Sequence, residues 1–282
     1  MEYCVTEKTI GWKWVLALLV VGISLSTNVA PAVSQEWAKA RLEKTPRHLE
    51  YVSVKHGDRT VDCMVAYPEV PDKTGAVVVI HDISGFGDWI RGIGDQLAEA
   101  GQIAIVPDLL SGMGPKGGGT ESFASIDDAR RRVSELPAEQ ITADLNAVAA
   151  YVAKLPSSNG KVFVAGFCWG GGQSLRYATK NPKLNAAFVF YGYEPIDLAA
   201  VERVKCPIYG FYAENDARIN AELPDVQKLM KEAKKTFEPV TYAKAGHGFM
   251  RHGEDPEGTE DNKKARADAW KRWKHILSKG DK

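Results

Sequence analysis

The segment from Val162 to Gly172 constrains the fold of this chain more than any other segment. It reads Val-Phe-Val-Ala-Gly-Phe-Cys-Trp-Gly-Gly-Gly. The continuous apolar start is expected of a strand buried in a parallel sheet. Gly166 and Gly170 flank Cys168, so the backbone can turn sharply from the strand into a helix and leave the Cys168 side chain exposed at the sheet edge. The segment therefore predicts an α/β fold with Cys168 at the carboxyl end of a central strand.

Cys168 has two interpretations on this motif alone. A cysteine on such a turn is a suitable nucleophile, because a helix N-terminus and a neighbouring imidazolium both favour the thiolate. Free cysteine is also among the most buried residue types, so the same residue could be a small core side chain ahead of a glycine-rich helix. The motif does not separate these interpretations.

Two later segments favour the nucleophile. Asp216 follows the predicted strand Pro207 to Ala213, and His247 lies between glycines after the predicted strand residues Val240 to Tyr242. Nucleophile, acid and histidine in this chain order, each after a strand, are the arrangement of hydrolases whose nucleophile sits on a strand-to-helix turn. The order predicts that Cys168, Asp216 and His247 meet at one edge of the sheet.

The remaining pattern predicts alternating strands and helices in a single domain. An antiparallel hairpin, Leu49 to Lys55 and Arg59 to Tyr67, opens the sheet. Apolar runs then predict central strands, and residues at helical spacing predict helices between them. The predicted strands are Gly75 to Ile80, Ile103 to Val106 and Ala187 to Tyr191, and the predicted helices include Gly172 to Thr179 and about Asn262 to Ser278.

From about Pro46 to Leu277, the sequence resembles the dienelactone hydrolase family of α/β-hydrolases. The resemblance rests on the segments around His81-Asp82, Pro107-Asp108 and Cys168, and on the segments that carry Asp216 and His247. It implies an α/β-hydrolase fold, with a mostly parallel central sheet, an N-terminal antiparallel hairpin and helices on both faces. It also implies a carboxylic ester hydrolase. We expect no cofactor and no metal.

The resemblance implies a role for each site residue. Cys168 is the nucleophile, His247 the general base and then acid, and Asp216 the carboxylate that orients it. In this fold, the oxyanion is bound by backbone N–H groups, here those of Trp169 and Ile83.

Two further positions carry charge. The family commonly has a glutamate at the position of Asp82, where it interacts with the resting thiol; Asp82 is one methylene shorter. The alternative that Asp82 only caps the following turn stays open. Arg251 matches a family arginine that binds the substrate carboxylate, whereas residues 130–132, an arginine run, are interpreted as a solvated helix face.

Composition is that of a globular enzyme domain. The 36 basic residues balance 36 acidic ones and 44% of residues are hydrophobic, which argues against a nucleic-acid-binding protein or a disordered chain. We expect a small ester or lactone as substrate and a monomer. The alternatives are a thiol-dependent acyltransferase, or a secreted ligand-binding or thiol-sensing protein on the same scaffold.

The N-terminus predicts export. Lys8 and Lys13 precede a short apolar run, and Ala30-Pro31-Ala32 fits a signal-peptide cleavage site after Ala32. The run is shorter than the ~20 residues that span a bilayer, so no stable membrane anchor is expected after cleavage. We therefore predict a signal peptide at 1–32, an extension at 33–45 and one domain at 46–282, in the periplasm or outside the cell.

Other motifs argue against a nucleotide or a metal. The glycine-rich run Gly112 to Gly119 fits a dinucleotide-binding pattern, but Pro115 and further glycines follow where a helix should open, so it is interpreted as a flexible loop. His247 and His252 do not have a recognised zinc spacing. Cys63 and Cys206 remain besides Cys168 after cleavage, and the sequence leaves open whether they form a disulfide.

Overall fold

A computed structural model describes residues 35–281 of the chain. The predicted signal peptide and its cleavage site lie outside these residues. The described residues form one sheet of eight strands, in the order β1-β2-β4-β3-β5-β6-β7-β8. The strands are β1 Leu49–His56, β2 Arg59–Ala66, β3 Thr74–Ile80, β4 Ile103–Pro107, β5 Ser158–Phe167, β6 Ala186–Phe190, β7 Ile208–Asn215 and β8 Phe237–Gly246.

Strand directions agree with the sequence prediction. β1 pairs antiparallel with β2, and β2 pairs antiparallel with β4. The remaining strands, from β4 through β3, β5, β6 and β7 to β8, are parallel to one another. Every residue of β3 is buried, since the strand lies between β4 and β5 and helices cover both faces. The mostly parallel sheet with an N-terminal antiparallel hairpin is confirmed.

Helices cover both faces of the sheet. Their bounds are α1 Glu36–Glu43, α2 Asp88–Glu99, α3 Ile126–Ser134, α4 Ala138–Val152, α5 Trp169–Ala178, α6 Leu198–Glu202, α7 Ala217–Asn220, α8 Leu223–Glu232, α9 Phe249–His252 and α10 Glu260–Asp281. Side chains of α1, α2, α9 and α10 belong to one apolar core, and those of α4, α5, α6 and α8 to the other. Along β3, Val77 and Val79 enter the first core and Val78 enters the second, as the two-residue period of a strand requires.

The predicted extension packs onto the domain. Ala38 of α1 is buried in the core shared with α2. Asp95 of α2 is fully buried and accepts hydrogen bonds from Thr45 at 2.5 Å and from Arg47 at 2.7 Å. These contacts tie the segment before β1 to α2, so the described part of the extension is attached to the domain at Ala38 and Thr45.

The structure also decides the question of the two other cysteines. Cys63 lies in β2 and Cys206 lies two residues before β7, and both are buried free thiols. Four strands separate β2 from β7 in the sheet, which places the two residues about 24 Å apart at the usual strand spacing. A disulfide between them would need Cα atoms within about 7 Å, so these cysteines do not pair in this fold.

Candidate active site

Every sequence-predicted site residue lies on a loop at the carboxyl edge of the parallel sheet or at the start of the following helix. Asp82 and Ile83 follow β3, Cys168 follows β5, and Asp216 follows β7. His247 follows β8, with Arg251 at the next turn, in α9. Carboxyl ends of parallel strands meet at one edge, which is where α/β proteins bind ligands.

The turn at Cys168 is strained. Cys168 has φ 56° and ψ −116°, a combination rarely adopted by residues other than glycine. A Cβ atom at position 166 would lie 1.8 Å from the carbonyl oxygen of Gly170, and one at position 170 would lie 2.3 Å from that of His81. Glycine is therefore required at both flanking positions. Strain of this kind concentrates at functional sites.

The three residues of the predicted triad form one chain of hydrogen bonds. Nε2 of His247 lies 3.1 Å from the Cys168 sulfur, and Nδ1 lies 2.5 Å from Oδ2 of Asp216. Asp216 is buried, and its other carboxylate oxygen accepts from the Ile219 amide as the N-cap of α7. Because the cap fixes the carboxylate, Asp216 can hold the imidazole facing the sulfur.

The pKa of His247 is raised above its ordinary value. The hydrogen bond to Cys168 is the largest cause, and the bond to Asp216 acts in the same direction, while burial opposes both. The imidazole is thereby prepared to accept a proton from the thiol.

Two backbone amides have the positions expected of oxyanion donors. Trp169 is the first residue of α5, so its N–H has no acceptor within the helix. Ile83 lies in the turn after β3, and its N–H donates to no other residue within 35–281. Both amides are thus available to a bound oxygen atom.

Asp82 and Arg251 pair with each other. Nη1 of Arg251 lies 2.8 Å from Oδ2 of Asp82, and Oδ1 of Asp82 accepts from the Ser84 amide at 2.7 Å. No hydrogen bond joins Asp82 to Cys168 among the described residues. At rest, Asp82 both caps its turn and holds the guanidinium.

The arginine run lies on α3 at the surface. Its members pair with acidic neighbours on or just after the same helix, namely Asp127, Asp128 and Glu135. Arg131 is the most exposed, with 67% of its side chain accessible. Arg251 contacts Asp82, whereas the three arginines of this run do not.

The glycine-rich run after β4 is anchored at its end. A short 3-10 turn covers Pro115–Gly117, and between the end of β4 and Ile126 no α-helix begins. The buried carboxylate of Asp108 accepts from both the amide and the hydroxyl of Thr120, and that hydroxyl accepts from the amide of Phe86. Thr120 thus links this run to the loop that carries Ile83, a link that the sequence did not indicate.

Sequence reasoning also missed Tyr191. It is a buried residue at the end of β6 with φ 40°, and its ring lies edge-on to His247 with centroids 5.2 Å apart. Burial raises the pKa of its hydroxyl well above the ordinary value, and the negative charge of Asp82 acts in the same direction, whereas the positive charge of Arg251 opposes both. No local motif marks an aromatic residue with positive φ, so only the structure could identify it.

Comparison with known proteins identifies the family. The dienelactone hydrolase family matches residues 61–280, which is more than half of the chain. The chain belongs to the dienelactone hydrolase family. A protein of Saccharolobus solfataricus named "Putative carboxymethylenebutenolidase" is 33% identical over 255 residues, covering 79% of this chain and 95% of the relative. A protein of the same name from Escherichia coli K12 is 31% identical over 205 residues, covering 67% of this chain and 73% of the relative.

Solved structures agree with this membership. A crystal structure titled "Putative Dienelactone Hydrolase" from Klebsiella pneumoniae superposes with a TM-score of 0.71 at 25% identity, covering 83% of this chain and 99% of that chain. The fold is therefore that of the α/β-hydrolases, as the sequence predicted. As a dienelactone hydrolase-like protein, the chain is a hydrolase that acts on esters or lactones.

No helix within residues 35–281 is both long and apolar enough to cross a membrane. In the same part of the chain, no group of three or more histidine, cysteine, aspartate or glutamate side chains has a metal-binding arrangement.

Proposed function

We propose that this dienelactone hydrolase-like protein cleaves small esters or lactones through an acyl-cysteine intermediate on Cys168, His247 and Asp216. The observation that carries the proposal is the unbroken chain from the Asp216 carboxylate through the imidazole to the thiol, with contacts of 2.5 and 3.1 Å. Such a chain is the arrangement that activates a cysteine nucleophile.

Acylation begins with proton transfer from the Cys168 thiol to Nε2 of His247. The sulfur then attacks the substrate carbonyl carbon, and the carbonyl π pair moves to the oxygen. Asp216 stabilises the imidazolium through Nδ1. The amides of Trp169 and Ile83 stabilise the oxyanion, and a stabilisation of this kind is worth about 10²–10³ in rate for each donor.

Collapse of the tetrahedral intermediate expels the alkoxide, which takes the proton from His247. Water then attacks the acyl-cysteine, with His247 accepting one of its protons. The second intermediate releases the carboxylic acid and restores the thiol. In an acyltransferase the same acyl-cysteine would pass to another nucleophile, so product analysis distinguishes the two functions.

Arg251 gives the proposed site a preference for substrates that carry a carboxylate. A substrate carboxylate would replace Asp82 on the guanidinium, in a charge-assisted pair of the type that holds Asp82 now. Partly buried apolar side chains on the surrounding loops would contact the rest of the substrate, namely Ile83, Met113, Phe123, Trp169 and Tyr193. A carboxylated lactone, such as a dienelactone, fits both features.

The proposal includes export with removal of residues 1–32. It rests on Lys8, the apolar run Trp14 to Ile23 and the small residues before Val33. Mass spectrometry of protein taken from its native compartment should find a chain that starts near Val33. An intact Met1 start on cytoplasmic protein would contradict export.

The function itself is tested by supplying purified mature protein with neutral esters, lactones and carboxylated lactones. We expect turnover with a transient mass increase on Cys168 equal to the acyl group, and release of the free acid. Stoichiometric binding of these compounds without turnover would instead support the ligand-binding alternative. Transfer of the acyl group to an added thiol or alcohol in preference to water would support the acyltransferase.

A further inference from the structure

His81 is a fully buried histidine beside the site that the proposed chemistry does not use. It is the first residue after β3, and it directly precedes Asp82 and Ile83. Its surroundings connect it to both predicted oxyanion donors. The inference below rests on the proposed function, because it assigns a role within the same acyl transfer.

The first connection is to the loop after β3. Nδ1 of His81 donates a hydrogen bond to the carbonyl oxygen of Asp82 at 2.8 Å. The same carbonyl oxygen accepts from the Gly85 amide at 3.1 Å. The imidazole therefore helps to fix the peptide group that joins Asp82 to Ile83, and the N–H of this peptide group is the predicted oxyanion donor.

The second connection is to the start of α5. The His81 ring stacks on the Trp169 ring, with centroids 5.5 Å apart and planes inclined by 14°. The carbonyl oxygen of His81 also packs tightly against Gly170. A Cβ atom at position 170 would lie only 2.3 Å from that oxygen. Hence the same residue touches the segment that carries each donor.

A purely structural role does not explain an imidazole at this position. Because Nδ1 donates, Nε2 is the unprotonated nitrogen, and it is buried without a hydrogen-bond partner among the described residues. A buried unpaired acceptor is destabilising, and an apolar ring of similar shape would avoid that cost. Burial lowers the pKa of His81, so the ring is neutral. A positive charge therefore does not explain why position 81 is a histidine.

We propose that His81 is a positioning residue that aligns the backbone N–H groups of Ile83 and Trp169 into one oxyanion-binding site. Its N–H group fixes the Ile83 peptide, and its ring fixes the indole whose backbone supplies the other donor. His81 does not touch the thiol, so its removal should impair oxyanion stabilisation and leave the reactivity of Cys168 intact.

Two substitutions separate the two contacts. His81→Asn keeps an N–H donor near the Nδ1 position and loses the stacking ring, whereas His81→Phe keeps the ring and loses the donor. His81→Ala loses both contacts. His48→Phe is the matched control, because His48 also packs on an aromatic ring, that of Tyr67, but lies outside the site.

Each variant is measured with three probes. Iodoacetamide alkylation measures the reactivity of the Cys168 thiol in a reaction that forms no oxyanion. Single-turnover acylation by p-nitrophenyl acetate measures a reaction that needs both the thiol and the oxyanion site. Binding of n-butanal reports the oxyanion site without turnover. In that reaction the sulfur–carbon bond forms, the thiol proton passes to His247, and the carbonyl π pair moves to the oxygen that the two amides face.

We expect acylation rate and butanal affinity to fall together, by about 10-fold in His81→Asn and His81→Phe and by about 100-fold or more in His81→Ala. Alkylation should stay within about twofold of the wild-type rate, since the triad is untouched. His48→Phe should match the wild type in all three assays. If His81→Ala does not fold, the two single-contact variants decide the question.

Several outcomes would overturn the inference. Unchanged butanal affinity in folded His81 variants would mean that His81 only fills the core. A fall in the alkylation rate as large as the fall in the acylation rate would mean that His81 acts on the triad instead. Failure of wild-type protein to bind butanal would leave no oxyanion site for His81 to align. Wild-type protein that binds butanal and hydrolyses no ester would refute the proposed function alone, and the butanal measurements would still decide the role of His81.

Discussion

On the proposed nucleophile side of the site, Cys168, His247 and Asp216 form an unbroken chain of hydrogen bonds, whereas on the proposed anion-binding side Arg251 is already paired with Asp82 of the same protein. The first side is assembled before any substrate arrives. The second side must give up an internal contact before it can bind a carboxylate. We therefore expect that catalysis and substrate recognition can be altered separately.

The two sides also differ in how firmly they are held. Asp216 is fixed as a helix N-cap and the turn at Cys168 is fixed by two required glycines. Arg251, by contrast, is held to Asp82 by one hydrogen bond and lies over the ring of Trp89, with 26% of its side chain accessible. Substitutions on the nucleophile side should change the rate, and those on the anion-binding side should change substrate choice.

The largest effect is expected for Cys168→Ala. Without the sulfur no acyl-enzyme can form, so ester turnover should fall to background while the melting temperature changes little, because Cys168 is only partly buried. The matched control is Cys206→Ala, which removes a buried thiol remote from the site. Substantial turnover by the Cys168 variant would refute the nucleophile assignment.

The next largest effect is expected for Asp216→Asn. Turnover should fall by about 10³–10⁴-fold, because the imidazole loses the carboxylate that orients it. Asp225→Asn, which changes an exposed carboxylate on α8, should leave the rate unchanged.

The same substitution has a pH signature. In wild-type protein, NMR titration should give His247 a pKa above its ordinary value of 6.5, and Asp216→Asn should lower it. Because the folded state binds this proton more tightly than the unfolded chain, the pair stabilises the fold below the unfolded pKa. That contribution is lost as the pH rises through the raised pKa. An unchanged pKa in the variant would mean that Asp216 does not act on His247.

Sequence alone was enough to predict that Cys168, Asp216 and His247 lie together at one edge of the sheet, because the signals are local. The glycines around Cys168 and the apolar run before it lie within a few residues, and the chain order of Asp216 and His247 follows from successive strands. The mostly parallel sheet was predictable for the same reason, since central strands such as β4 and β6 are continuous apolar runs.

The remaining contacts were not predictable because they join residues far apart in the chain. The pair formed by Asp82 and Arg251 spans 169 positions, and the stacking of His81 on Trp169 brings together residues from different strand ends. Tyr191 has φ 40°, a conformation imposed by its surroundings and not by its own preference. Such features need the folded molecule.

A smaller and more selective effect is expected for Arg251→Met. Loss of a charge-assisted contact should lower kcat/KM for a carboxylated lactone by about 10–100-fold, whereas a neutral ester should lose much less. Arg131→Met is the control, because Arg131 is the most exposed arginine of the surface run on α3. Equal losses for both substrates would show that Arg251 supports the site's structure and does not select the carboxylate.

The smallest effect is expected at Asp82, measured as the rate of Cys168 alkylation against pH in wild type, Asp82→Glu and Asp82→Asn. Both oxygens of the carboxylate are engaged at rest, by the Ser84 amide and by Arg251, and the guanidinium offsets its charge. We therefore expect the three curves to differ by less than about one pH unit. Adding a carboxylate ligand that occupies Arg251 should widen the separation between wild type and Asp82→Asn, because the released Asp82 charge is then free to act on the thiol. Superimposable curves with and without that ligand would mean that Asp82 only caps its turn and anchors Arg251, and that the two sides of the site do not communicate through it.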